Sequence, residues 1–241
     1  IERTFLALAG LMRPRAVDEK SVNLLGLRAP GGRKTEPVRL LESKGINIRN
    51  VIPSYSTPAE IARAPGARLN IVLEHYALPL AEKMKEAFGT EYIYCERPYA
   101  LDSVELWYRQ IAETLHIDLS QETATLKKKT EESVLQLNER FAGKTCALGI
   151  QQGRSFDLAR FLVTLGMKPI LLYLNRILPG DHKDIQDLLS TGVNPLVVKS
   201  GNALQSEKLL AELKPDYYIG HGDRRVLARL GIEARNLMFA Y

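Results

Sequence analysis

Cysteine is scarce. Only Cys95 and Cys146 occur in 241 residues, far apart in the chain, which argues against a disulfide framework and fits reduced thiols in a cytoplasmic protein. No apolar run approaches the roughly 20 residues of a spanning helix, so no membrane partner is expected, and the amino terminus lacks the charged-then-apolar layout of a secretion signal. One-sided charge is missing as well. The formal charge is +5 and its basic residues are dispersed. The densest run, Lys127 to Lys129, lies among Glu122, Glu131 and Glu132, which reads as a solvated helix face and not a nucleic-acid footprint. No H-E-x-x-H or C-x-x-C spacing marks a metal site. The chain opens at Ile1 with the helical-looking "IERTFLALAGLM", so residues 1–20 are expected to be the remnant of a preceding domain in a longer polypeptide.

What is present is enough for proper cores: 45% apolar and 25% charged residues. Apolar runs alternate with helical patterns through two halves. "SVNLLGL", "INIRNVIP", "ARLNIVL" and "EYIYC" read as strands. Helices are expected at 35–45, from Ser56 or Thr57 with Pro58 in its first turn, at 79–89 and at 103–115. After a long polar helix with a thin stripe of Leu126, Val134 and Leu137, the second half repeats the rhythm. Strands "KTCALGI", "KPILLYL", "NPLVVKS" and "DYYIG" alternate there with helices at 154–166, 181–191, 203–214 and 224–231. Strands apolar throughout and separated by helices imply parallel sheets covered on both faces. The expected fold is α/β: two doubly wound Rossmann-like domains, at 21–119 and 143–241, joined by a connecting helix at 120–142.

In such folds ligands sit at the carboxyl ends of strands, so the exit loops carry the candidates. "GLRAPGGRKTE" is Gly-rich and basic but lacks G-x-G-x-x-G and G-K-[ST], so no nucleotide cradle is read from it. Glu74 and His75, at the end of "LNIVLEHY", are the candidate catalytic pair, able to ligate or to move a proton. The plainer reading has Glu74 capping the next helix. Cys95 beside Arg97 is either an activated thiol or a small buried hydrophobe, and Cys146 is core. "GIQQGRSF" offers Gln151, Gln152, Gly153 and Arg154 as ligand-binding residues. A cation at a helix start calls for a local anion, and a rim arginine contributes little to packing. His221, set between Gly220 and Gly222, and Arg224 complete the set.

Taken in order, "INIRNVIPSYSTPAEIARAPGARLNIVLEHYALPLAEKMKEAFGTEYIY", "IAETL", "FAGKTCALGI", "LVTLGMKP" and "LKPDYYIGHGDRRVLARLGI" resemble nitrogenase component 1 type oxidoreductases. That group includes the molybdenum–iron protein subunits, their cofactor-assembly scaffolds and the dark-operative tetrapyrrole reductases. The resemblance runs from about Val22 to Met238 and covers the second and third of the family's three Rossmann-like domains. It implies that Glu74 stands where a cysteine ligates the catalytic metallocluster. It also implies that Arg154 and Arg224 match cationic positions around that cluster, and that the ligand histidine falls near Met238. With both ligand positions changed, and Gln151 and Gln152 in place of glycines, a dinitrogen-reducing subunit is not expected.

By that resemblance the chain is part of an oxidoreductase subunit. It would bind a metallocluster or anionic substrate in the interdomain cleft and receive electrons from an ATP-dependent iron–sulfur reductase. It would also assemble with a homologous component 1 subunit. An iron–sulfur metallocluster would belong to the full-length parent, with none held by this fragment. The alternatives are a non-catalytic scaffold for a metallocluster or tetrapyrrole precursor, or a two-domain small-molecule binder.

Overall fold

The computed structural model describes residues 1–27, 34–54, 56–149, 154–178, 180–199 and 203–235. It divides into two compact units. One comprises Ile1–Arg97 with Arg109–Glu122, and the other Pro98–Tyr108 with the chain from Thr123 onward. Relative to the sequence boundaries, the connecting helix from Thr123 belongs to the second unit, and a short piece before Arg109 goes with it.

In the first unit four strands form a parallel sheet: β1 (Asp18–Leu27), β2 (Asn47–Pro53), β3 (Ala67–Val72) and β4 (Glu91–Tyr94). Their order is β2-β1-β3-β4. The chain therefore lays β2 on one side of β1 and then returns to the other side for β3, which makes the gap between the exits of β1 and β3 the topological switch point. On one face Leu25, Ile52 and Val72 meet Leu80, Ala81 and Met84 from α4 (Leu78–Phe88). Phe5, from α1 (Glu2–Ala7), and Met12 join the same core. The opening segment thus supplies core side chains to this unit.

Local signals place the helices. Glu36–Ser43 forms α2. Thr57, not Ser56, caps α3 (Pro58–Ala62), with its hydroxyl on the Glu60 amide and the Glu60 carboxylate back on the Thr57 amide. Gly89, at φ 72, ends α4 in the left-handed conformation. Helix α5 (Leu101–Leu115) spans the division between the units.

The second unit holds β5 (Thr145–Leu148), β6 (Lys168–Leu174), β7 (Leu196–Lys199), β8 (Tyr217–Ile219) and β9 (Glu233–Arg235), all parallel in the order β7-β6-β5-β8-β9. Its switch point lies between the exits of β5 and β8. Alternate residues of the strands feed opposite cores. Cys146, Leu148, Leu172 and Ile219 pack with side chains of α6 (Ser120–Phe141), α7 (Ser155–Thr164) and α8 (Asp181–Ser190). Ala147, Leu171 and Tyr218 pack with α9 (Ala203–Leu213) and α10 (Arg224–Arg229). Helices thus cover both faces, as a doubly wound sheet requires. Of the stripe expected on α6, Val134 is buried while Leu137 stands 40% exposed. The strand β9 went unforeseen because all three of its residues are exposed and two are charged. No described helix is long and apolar enough to cross a membrane.

Candidate functional site

Parallel pairing in the first sheet continues past the last strand residues. Leu73 N–H donates to Leu25 O at 2.8 Å and Cys95 N–H donates to Val72 O at 3.0 Å. These two bonds hold the exits of β1, β3 and β4 side by side, and they bring Glu74, His75, Glu96 and Arg97 together. The Glu74 side chain is 3% exposed, and its Oε1 accepts from Arg97 Nη2 at 2.7 Å. Its side chain makes no cap on the turn His75–Ala77, so the capping reading of Glu74 gives way to a buried ion pair. Two features press the carboxylate into place. A Cβ on Gly26, whose φ is +100, would lie 2.8 Å from Glu74 Cβ, and Tyr76 Oη donates to Gly26 O at 3.0 Å. Glycine at position 26 therefore serves both a backbone conformation and a close approach.

The chemistry of this corner is oxygen and nitrogen. One ligand atom each from Glu74, His75 and Glu96 lies within 4.8 Å of the others, a set suited to a hard or borderline cation or to proton transfer. Thiolate is absent from it. Cys95 sits at the same strand end, but burial pushes its thiol up to about 12, and Cys146, in the core of the second sheet, is also pushed up to about 12 by burial. Both cysteines are therefore inert packing groups. Iron–sulfur ligation needs thiolates, so among the described residues the donors do not fit an iron–sulfur metallocluster.

In the second unit Arg154 precedes α7. Its Nη2 donates to Asp184 Oδ1 and Oδ2 at 2.8 Å each, and its Nε donates to Oδ2 at 3.1 Å. The local anion that the helix-start cation calls for is thus Asp184, a fully buried carboxylate on α8. Behind it lies Asp157, also fully buried, which accepts from the backbone N–H of Tyr99 (2.6 Å) and Ala100 (3.2 Å), from Ser103 Oγ (2.7 Å) and from Arg160 Nη1 (3.0 Å). Asp157 therefore caps the start of α5. Burial raises the Asp184 carboxyl above its ordinary range in spite of the Arg154 hydrogen bond. Arg154 is therefore a structural partner of a buried acid, which corrects the expectation that its removal would be nearly free of cost; a ligand anion would share the guanidinium with Asp184. This network escaped the sequence reading, although the spacing Arg154-x-x-Asp157-x-x-Arg160 within an apolar helix was a usable signal.

At the second switch point Gly149 N–H donates to Ile219 O at 2.8 Å. A Cβ on Gly149 would meet Tyr218 Oη at 2.5 Å, and one on Gly222 would meet the Tyr218 ring at 2.7 Å. The glycine beyond His221 thus makes room for Tyr218, whose hydroxyl donates to His221 O at 3.0 Å. His221 and Arg224 are exposed, and Asp223 caps α10 through the Arg225 and Val226 amides. Glu74 and His75 belong to the first unit, while Arg154, His221 and Arg224 belong to the second. Gln151, Gln152, Gly153 and Met238 lie outside the described residues.

Two parallel sheets, each with a topological switch point, define the class of the fold as Rossmann-like α/β. A family model for nitrogenase component 1 type oxidoreductases matches residues 1–239, and the chain belongs to that family. It is 27% identical to the nitrogenase iron-molybdenum cofactor biosynthesis protein NifE of Nostoc sp., over 92% of this chain and 47% of the relative. It is 28% identical to a light-independent protochlorophyllide reductase subunit of Bradyrhizobium sp., over 87% of this chain and 41% of the relative. The chain thus spans about half the length of the curated relatives it matches. Among solved structures, one titled "Nitrogenase Cp1 at pH 6.5" aligns with TM-score 0.75 at 18% identity, covering 98% of this chain and 58% of that one. At that identity the likeness speaks for the fold.

Proposed function

We propose that this chain is the substrate-binding half of a nitrogenase component 1-like reductase subunit. The subunit takes electrons from an ATP-dependent iron–sulfur reductase and passes them to an anionic substrate other than dinitrogen. The single observation that carries the reading is the polar corner at the first switch point. There Glu74 is buried against Arg97 with His75 and Glu96 beside it. A multi-electron reduction of an organic substrate needs a proton with each electron, and Glu74 and His75 are the groups to deliver them. Arg154, His221 and Arg224, with Gln151, Gln152 and Gly153, are the substrate-binding candidates of the second unit. The iron–sulfur centre belongs to the rest of the subunit, and a homologous component 1 subunit is its partner.

A second reading, a non-catalytic carrier of a metallocluster or tetrapyrrole precursor, is favoured by the likeness to cofactor biosynthesis proteins. One experiment separates the two. The full-length protein, purified without oxygen, is mixed with its reduced iron–sulfur reductase and ATP, and oxidation of the reductase is followed by absorbance. ATP-dependent oxidation, slowed at least tenfold by Glu74→Gln without loss of complex formation, is expected. A protein that accepts no electrons, or a variant as fast as the parent, removes the reductase reading.

A further inference from the structure

The corner at the first switch point carries more than an ion pair. Among the described residues six side-chain atoms are buried without a hydrogen bond, and four of them lie there: Glu74 Oε2, His75 Nδ1, Glu96 Oε1 and Arg97 Nε. Each of the first three belongs to a side chain whose other polar atom faces a neighbour. Glu74 Oε1 accepts from Arg97 Nη2 at 2.7 Å, and Glu96 Oε2 accepts from Tyr94 Oη at 3.0 Å. His75 Nε2 stands 4.0 Å from Glu2 Oε1. That carboxylate favours the imidazole proton on Nε2, which leaves a lone pair on Nδ1.

The three side chains are close enough to act on one centre. One ligand atom from each lies within 4.8 Å of the others, and the terminal torsion of a carboxylate is soft, so either oxygen can turn to that centre. Three unmet buried acceptors cost free energy. A water has two hydrogens and answers two of them at most. A cation answers all three. Ligands at about 2.0–2.2 Å from a cation stand no more than about 4.4 Å apart, so a small contraction completes the shell. The outward contacts have the form that orients metal ligands, an imidazole backed by a carboxylate and carboxylates held by their second oxygen. Glu74 is buried, but His75 and Glu96 are only half-buried, which opens the corner to an entering ion.

We infer that Glu74, His75 and Glu96 bind a single divalent cation of borderline hardness, zinc or a similar first-row ion, through His75 Nδ1 and one oxygen of each carboxylate. The imidazole selects against magnesium and calcium, and the lack of thiolate selects against soft ions. Three protein ligands leave a position open to a water or an anion, the kind of acceptor that Arg97 Nε lacks. The ion lowers the pKa of a bound water. The protons assigned above to Glu74 and His75 then pass from that water, which is left as hydroxide until solvent reprotonates it. Metal binding itself does not depend on electron transfer.

The test uses the full-length protein purified without oxygen, with zinc as the probe because iron is expected in the iron–sulfur centre. Zinc affinity is measured by competition with a chromogenic chelator, and the neighbours of the ion by X-ray absorption at the zinc edge. One ion per chain is expected, with nitrogen and oxygen neighbours at about 2.0–2.2 Å and the outer-shell signature of one imidazole. Glu96→Gln and His75→Ala should keep the circular dichroism spectrum and weaken zinc at least tenfold. At saturating zinc, His75→Ala should also erase the imidazole signature. No zinc beyond the level bound by the Glu96→Gln/His75→Ala double variant, sulfur neighbours at about 2.3 Å, or unchanged affinity in Glu96→Gln would each overturn the inference. A protein that accepts electrons yet binds no zinc fails here alone, and one that binds zinc yet accepts no electrons fails only the reductase reading.

Discussion

Replacing Arg97 with alanine tests the reading of the first switch point most directly. The guanidinium stands 2.7 Å from Glu74 Oε1, with the carboxylate side chain 3% and the arginine side chain 25% exposed. With an effective dielectric near 20 and charge centres about 4 Å apart, the attraction is about 4 kcal/mol. Partial screening of the arginine reduces the coupling to about 2 kcal/mol. Removing Arg97 alone takes this counter-charge from a buried carboxylate and should cost about 3–5 kcal/mol, whereas removing it in a Glu74→Gln background should cost about 1 kcal/mol. A chain of two units need not unfold in one step, so the assay must report on the first unit alone. Hydrogen exchange at the Leu73 and Cys95 amides, which bond across the exits of β1, β3 and β4, does so. Equal cost of Arg97→Ala in the two backgrounds, or a cost below about 0.5 kcal/mol, would refute the ion pair as the organiser of this corner.

Other outcomes are as definite. Arg154→Ala should destabilise the second unit by about 3 kcal/mol, and the loss should largely disappear in Arg154→Ala/Asp184→Asn, as measured by urea denaturation followed through Trp107 fluorescence. Gly26→Ala should cost about 1–3 kcal/mol, because φ +100 and a Cβ 2.8 Å from Glu74 Cβ are both unfavourable; circular dichroism melting would expose a tolerated substitution. Neither Cys95 nor Cys146 should react with a thiol reagent at pH 8 in the native chain, and both should react in denaturant, since their thiols are held up to about 12; rapid native labelling would contradict the burial. Asp216 is held below the usual carboxylate range by the Thr145 amide and hydroxyl and by Lys144. Its unfolded form binds protons more readily, so its contribution is present above about pH 4 and is lost as pH falls through the folded value. The stability gap between the parent and Asp216→Asn should close on acidification, and a gap that widens would reverse the sign.

The layered architecture was legible because buried parallel strands are written as unbroken apolar runs and helices as punctuated ones. Val22 to Leu27 and Ile71 to Leu73 leave little choice of element. Cap chemistry was legible in part: the sequence offers Ser56 or Thr57 as the cap of α3, and the structure uses Thr57. What escaped depends on pairs of residues distant in the chain. The sequence places Glu74 at a strand exit, but nothing local says that Arg97, on the exit of the neighbouring strand, will take its carboxylate. Asp157 and Asp184 look like surface acids on helices until α7 and α8 are packed, after which they are among the most buried polar groups of the molecule. A three-residue strand such as β9, polar and at a sheet edge, carries no hydrophobic pattern to read. Its place is fixed by the Gly220 N–H to Arg235 O bond and by pairing to β8.

The cap on α5 has a consequence for how the chain is made. Its amides at Tyr99 and Ala100 wait for a carboxylate that lies more than fifty residues downstream. A nascent chain that has emerged only as far as α6 holds every residue of α5 yet leaves its first turn unanchored. Synthesis must pass Asp157 before that helix acquires a fixed beginning.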